Sequence, residues 1–240
     1  MRSKRKIVAA VAAALVLMFS IVSGAVGVTT SPRHTAQVVC APVPAVKKIA
    51  IMGDSLTTSQ GASAADKSWP AMLQERGAAR GWVVGSYGIG ATLADEYEPG
   101  RNLFFVTETV RDWKPDLVLM DWRTNDQIHG RTPEQLKASL LAIAGQIRAG
   151  SPTTKFMIVN PPLMWYHDLV SPEKQRTYAA KMREAADELD GFYVDLEPFF
   201  PQTGPSWASR ATLPDDIHPN DAGHLRYLTV IFLGIRQANF

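Results

Sequence analysis

The chain has 240 residues, 46% hydrophobic and 20% charged, with 25 basic and 23 acidic side chains. This is ordinary globular composition, which excludes a disordered or collagen-like chain and suffices for one domain with a full core. Four of the basic residues crowd into the first six positions; beyond them 21 basic face 23 acidic residues, a net of −2, so there is no electrostatic footprint for nucleic acid.

At the N terminus, Arg2, Lys4, Arg5 and Lys6 precede the apolar run Ile7–Val22, in which Ser20 is the only polar residue, and then Ser23-Gly24-Ala25. A basic start, an apolar stretch and small residues at a cleavage-type position read residues 1–25 as a secretory signal peptide. No charge appears between Ile7 and Arg33, so an uncleaved membrane anchor is the rival reading. Either way the remainder is expected outside the cytoplasm. Residues 26–46 are rich in Ala, Val, Thr, Ser and Pro without a helical period, the composition of a flexible linker. The single cysteine, Cys40, lies there; it excludes an intramolecular disulfide, and Val38-Val39 before it lack the small residue a lipid-acceptor cysteine needs.

From residue 47 onward, a span of 194 residues, short apolar runs alternate with longer amphipathic segments. Ile49–Met52, Trp82–Tyr87, Leu117–Trp122, Phe156–Asn160 and Phe192–Leu196 are the expected strands. Trp69–Arg80, Asn102–Trp113, Pro133–Ala149, Pro172–Leu189 and Asn220–Gln237 are the expected helices. In Pro133–Ala149 the apolar residues Leu136, Leu140, Ile143, Ala144 and Ile147 recur at helical spacing, with Thr132 placed to cap and Pro133 at the first position. Strands alternating with helices predict a three-layer α/β/α sandwich around a five-stranded parallel sheet. Ligands in such sheets bind beyond the carboxyl ends of the strands.

Five chemically useful features fall at those ends. Ser55 follows the first strand in Gly53-Asp54-Ser55-Leu56, and Gly90 follows the second in Gly85-Ser86-Tyr87-Gly88-Ile89-Gly90. Asn125 follows the third in Arg123-Thr124-Asn125-Asp126, the fourth leads into a loop from Asn160, and Asp215-Asp216-Ile217-His218-Pro219 follows the fifth. Serine, histidine, aspartate and an amide are the parts of an acyl-transfer site: nucleophile, base, orienter and oxyanion donor. Asp215, three residues before His218, suits a one-turn reach to the imidazole; Asp216 is its competitor. Gly-Asp-Ser by itself is also an ordinary turn or cap sequence, and no Gly-x-Ser-x-Gly elbow is present.

Order and context together resemble the GDSL, or SGNH, hydrolases over roughly residues 47–238. The resemblance implies the flavodoxin-like fold of that family and a cofactor-free, metal-independent serine esterase. Ser55 would be the nucleophile, His218 the general base and Asp215 the orienter, with an oxyanion hole from the Ser55 N–H, the Gly90 N–H and the Asn125 side chain. Gly88 is the alternative to Gly90. The expected substrates are small-molecule or cell-envelope esters, either O-acetylated polysaccharide or short-chain lipid esters, with membrane contact only through the N-terminal segment. One departure stands out: the family's third block reads Gly-x-Asn-Asp, whereas this chain has Arg123 in place of the glycine. A guanidinium there is read as a contact for an anionic substrate group, with a structural pair to Asp121 or Asp126 as the alternative. Trp165, Tyr166 and Trp207, on loops after the fourth and fifth strands, are read as a platform for sugar or acyl groups, with an ordinary packed lid as the alternative.

Three further readings use the same residues. An acyltransferase needs only the exclusion of water. A metal-dependent phosphoesterase would recruit Asp54, Asp126, Asp215, Asp216 and His218, although no Asp-x-Asp pair follows the first strand. A catalytically silent binding module would leave the serine unreactive.

Overall fold

The computed structural model describes residues 47–163, 171–200, 211–213, 215 and 217–238. The signal or anchor, the linker, Cys40, Asp216, Trp165, Tyr166 and Trp207 lie outside those residues. Five strands, β1 (Lys47–Gly53), β2 (Trp82–Ser86), β3 (Leu117–Asp121), β4 (Lys155–Asn160) and β5 (Phe192–Asp195), form one parallel sheet in the order β2-β1-β3-β4-β5. Among the described residues six α-helices connect and cover them: α1 (Trp69–Ala78), α2 (Phe104–Trp113), α3 (Thr124–Ile128), α4 (Pro133–Gly150), α5 (Pro172–Glu188) and α6 (Asp221–Gln237).

The central parts of β1, β3 and β4 are apolar because both faces are covered, and their alternation sorts the side chains into two cores. Ala50, Met52, Val118 and Met120 pack against Val106 of α2, Leu140 and Ile143 of α4 and Tyr178 and Met182 of α5. Ile49, Ile51, Leu117 and Leu119 point the other way, toward Trp69 and Leu73 of α1 and Tyr227, Leu228 and Ile231 of α6. Each large side chain so buried stabilises by about 1.5–3 kcal/mol before the entropy of ordering it is charged. The three-layer sandwich expected from the alternation is the fold found.

Local signals set the helix ends. Thr132 caps α4 by accepting from the Gln135 N–H at 3.1 Å, and the Gln135 side chain accepts in return from the Thr132 N–H at 2.7 Å, with Pro133 in the first turn. Asn220 caps α6, its side-chain oxygen accepting from the N–H groups of Ala222 and Gly223. The α2 helix starts at Phe104 rather than Asn102, and α3 is a five-residue helix that the apolar pattern does not show.

Strand order reverses at β1: the chain goes first to β2 on one side and then to β3 on the other. The crevice at such a switch point opens between the carboxyl ends of β1 and β3, where Ser55 and Asn125 lie.

Candidate active site

Directly after β1, Asp54 caps a one-turn 3-10 helix, Ser55–Thr57, its carboxylate accepting from the Leu56 N–H at 2.9 Å. Asp54 thus has the cap role that its sequence permits, and the turn it makes presents Ser55, which is 6% exposed, at the sheet edge. The serine Oγ is 2.9 Å from Nε2 of His218. His218 Nδ1 is in turn 2.6 Å from Oδ2 of Asp215. An ionised carboxylate only accepts, so Nδ1 carries the proton and Nε2 is left as the acceptor facing the serine hydroxyl.

The three-residue spacing has a local cause. The other oxygen of Asp215 accepts from the backbone N–H groups of Ile217 and His218, each at 3.0 Å, closing a turn that holds carboxylate and imidazole together. The segment is pinned on both sides: the Leu213 N–H donates to the His218 carbonyl at 2.8 Å, and Asn220 N–H to the Ala211 carbonyl at 3.1 Å. Partial burial on its own pushes the Asp215 carboxyl up. The His218 bond and the two backbone donors outweigh it and hold the group below the usual carboxylate value.

Asn125 lies in the first turn of α3. Its Nδ2 donates to Oδ2 of Asp54 at 3.3 Å and to the Thr92 carbonyl at 3.2 Å. Both contacts are long, so one N–H can be redirected at little cost to an oxygen that carries developing charge. Gly90 precedes Ala91, which takes a left-handed backbone (φ 63°). A Cβ placed on Gly90 would be 3.8 Å from Cβ of Ser55, and no acceptor among the described residues takes the Gly90 N–H. Gly88 is occupied differently: a Cβ there would come within 2.0 Å of Oγ1 of Thr57, so its glycine serves close packing.

Arg123 does not sit where a substrate would meet it. Its backbone has φ 154° and the side chain is fully buried. NH1 donates to Oδ1 of Asn160 at 2.7 Å, and NH2 to the Pro162 carbonyl at 2.6 Å and to Oε1 of Gln175 at 3.3 Å. The expected contact with an anionic substrate is corrected by this burial, since the guanidinium is spent on β4, the segment after it and α5. No ion pair with Asp121 or Asp126 forms either. The departure from the family glycine is an internal clamp.

Beneath the site lie three buried carboxylates. Burial, reinforced by Asp126, pushes Asp54 up to about 7, while the Leu56 N–H, Asn125 and the positive Arg123 pull it the other way. Burial likewise pushes Asp126 up to about 6, opposed by its bond from the Ala94 N–H at 3.0 Å, and takes Asp121 well above its ordinary value. Among the described residues no three His, Cys, Asp or Glu side chains are grouped to hold a metal ion.

Two residues near the site carry no signal in the local sequence. Gln60 is exposed on the turn after Ser55, with Nε2 3.5 Å from Nδ1 of His218. His224 is on α6 and fully buried; it reaches Gln60 through Nε2, 3.1 Å from the Gln60 carbonyl. Of the other histidines, His129 is exposed and His34 and His167 lie outside the described residues.

A serine, an imidazole and a carboxylate in hydrogen-bond sequence at the switch point of a parallel α/β/α sandwich are the equipment of a serine hydrolase. Residues 51–226 match the GDSL-like lipase/acylhydrolase family, and the chain belongs to it. It is 26% identical over 179 residues to the thioesterase 1/protease 1/lysophospholipase L1 of Escherichia coli K12, covering 73% of this chain and 77% of that one. To the esterase TesA of Pseudomonas aeruginosa it is 28% identical over 185 residues, covering 77% and 85%. In fold it is similar to crystal structures of TesA (TM-score 0.62, 19% identity, 80% of this chain and 99% of that one) and of Axe2, an acetylxylan esterase from Geobacillus stearothermophilus (TM-score 0.61, 17% identity, 80% and 95%). The protein is an ester hydrolase of this family.

Proposed function

We propose that the chain is an exported serine esterase that cleaves carboxylic esters through an acyl-Ser55 intermediate. The observation that carries this reading is the pair of contacts that link Ser55 Oγ to His218 Nε2 at 2.9 Å and His218 Nδ1 to Asp215 at 2.6 Å. Ser55 Oγ attacks the ester carbonyl carbon as His218 Nε2 takes the hydroxyl proton. Charge develops on the carbonyl oxygen and is met by the Ser55 N–H, the Gly90 N–H and one N–H of Asn125 turned from Asp54 or Thr92. Removing one such donor costs roughly 3–4 kcal/mol of transition-state stabilisation. His218 returns the proton to the alcohol oxygen as the carbon–oxygen bond breaks. Water, deprotonated by the same nitrogen, then attacks the acyl-serine; the bond from the acyl carbon to Oγ breaks, His218 returns the proton to Ser55 Oγ, and the acid is released.

The basic-then-apolar N terminus supports an exported location. An exported ester hydrolase meets envelope and extracellular esters, so O-acetylated polysaccharide or short-chain lipid esters are the proposed substrates; the fold it shares with an acetylxylan esterase is compatible with the first. Among the described residues no helix is long and apolar enough to cross a membrane. The test is intact-mass analysis after treatment with a fluorophosphonate, followed by mapping of the adduct. One adduct on Ser55 with parallel loss of ester hydrolysis is expected; activity that survives full treatment would overturn the acyl-serine route.

A further inference from the structure

Gln60 stands in the gap between the general base and the oxyanion donors. Its Nε2 is 3.5 Å from His218 Nδ1, and its Oε1 would be 3.7 Å from a Cβ placed on Gly90. The first contact is not a bond that the amide can use. Nδ1 of His218 already gives its proton to Asp215, and a protonated ring nitrogen has no lone pair for an amide N–H. The side chain is exposed, and no other bond to it occurs among the described residues, so both ends of its amide are uncommitted.

The backbone beneath it is fixed. The Gln60 N–H donates to Oγ1 of Thr58 at 3.2 Å. Its carbonyl accepts from Nε2 of His224 at 3.1 Å, while Nδ1 of His224 accepts from the Trp69 N–H at 3.3 Å. Those two partners select one neutral tautomer of a fully buried histidine, with the proton on Nε2. The next residue, Gly61, has φ 91°, and a Cβ there would be 2.1 Å from the Pro219 carbonyl, so this turn is seated against the loop that carries His218. A polar side chain with free hydrogen-bonding capacity on a preorganised backbone beside the reacting atoms is the arrangement of a substrate contact.

We propose that Gln60 is a specificity-determining residue that hydrogen-bonds a hydroxyl-bearing alcohol portion of the ester, such as a sugar or polyol. This rests on the acyl-Ser55 reading. There the oxyanion lies at Gly90 and Asn125, and the leaving oxygen lies at His218, which must protonate it. Gln60 lies beside Gly90 and the Nδ1 edge of the imidazole whose Nε2 faces that oxygen, so the atoms that come within its reach are the ones beyond the leaving oxygen. A hydroxyl there receives an N–H from the amide or donates to its carbonyl, whereas an apolar alcohol leaves both unpaired and gains nothing from the residue.

The test compares 1-glyceryl acetate with n-propyl acetate, which share the acyl group and the carbon count of the alcohol and differ in two hydroxyls. In Gln60→Leu, with Gln60→Ala as the second variant, kcat/KM for the glyceryl ester should fall about ten-fold, chiefly through KM, while the propyl ester changes less than about two-fold. Equal losses on both esters would overturn the inference and make Gln60 a support for His218. A loss that follows acyl length, read with n-propyl butanoate, would overturn it by placing Gln60 on the acyl side. Fluorophosphonate labelling of the same samples separates the two levels: a Ser55 adduct with equal losses defeats the Gln60 role alone. No adduct and no turnover of any ester would defeat the acyl-serine reading and this inference with it.

Discussion

Nδ2 of Asn125 donates to Oδ2 of Asp54 at 3.3 Å, so the turn that carries Ser55 and the turn that carries Asn125 are tied by side chains of their own motifs. The residue before the serine therefore has two duties. Through Oδ1 it caps the turn that presents Ser55, and through Oδ2 it aims the amide across the switch point. Asp54→Asn keeps the shape but weakens the acceptor that orients Asn125. A fall in kcat of about ten-fold or more with KM nearly unchanged is expected, the pattern of an interaction used in the transition state.

The same substitution has a pH signature in stability. Asp54 rises from an ordinary 3.8 in the unfolded chain to about 7 in the folded one, chiefly through burial. Between those values the folded state binds more protons, so the stability this group contributes is full below about 4 and is lost as pH rises through about 7. Asp54→Asn does not titrate. Its melting temperature relative to wild type should climb between pH 4 and 7 and level off above, measured by calorimetry at several pH values. A difference that stays constant with pH would show that Asp54 is not held protonated. Asp221, lowered to about 2 by its bonds from Ser63 and Lys67, acts in a separate window below pH 4 and does not confuse the comparison.

Ser55→Ala should remove ester hydrolysis, by on the order of 10⁴-fold or more, and abolish the phosphonate adduct. The turn survives the change because Thr58 bonds to the Ser55 carbonyl, not to its hydroxyl. Unchanged thermal unfolding beside lost turnover is the expected result; substantial remaining turnover would mean that another group attacks.

Asp215→Asn should lower kcat by roughly 10³–10⁴-fold, since an amide opposite Nδ1 favours the tautomer that cannot accept the serine proton. The asparagine carbonyl still accepts from Ile217 and His218, so the turn persists and the loss reports on the tautomer. Asp216→Asn should be mild. A ranking in the opposite order would transfer the orienting role to Asp216.

What the sequence makes legible follows the range of the interaction. Continuous apolar runs reveal buried parallel strands, and the rule that sites lie beyond their carboxyl ends brings Ser55, Gly90, Asn125 and His218 to one edge from four separated segments. Asp215 is legible because its partner is three residues away. Gln60 and His224 are not, because their contact spans 164 residues and neither has a pattern around it. Arg123 lies between these cases: its departure from the family glycine is visible, but its partners Asn160 and Gln175 lie 37 and 52 residues further along, so the side chain's direction is not.

Arg123→Gly sets two terms against each other. Relief of the backbone at φ 154° is worth about 1–2 kcal/mol in favour of glycine. Against it, Asn160 loses the guanidinium that serves it at 2.7 Å, at roughly 1–3 kcal/mol for an acceptor left buried and unsatisfied, and the part-buried Pro162 carbonyl loses its donor at 2.6 Å. The removed side chain also leaves a buried void, and Asp121 and Asp54 lose the positive charge that opposes their burial. The losses outweigh the relief, so the variant should unfold at lower temperature than wild type. Arg123→Met, which keeps the strained backbone and fills the space without donors, should be less stable than wild type as well. Because the guanidinium does not face the substrate, any loss of kcat/KM should be equal for a neutral and an anionic ester with the same leaving group. A selective rise in KM for the anionic ester would return Arg123 to the substrate; a more stable Arg123→Gly would show that backbone strain exceeds the clamp.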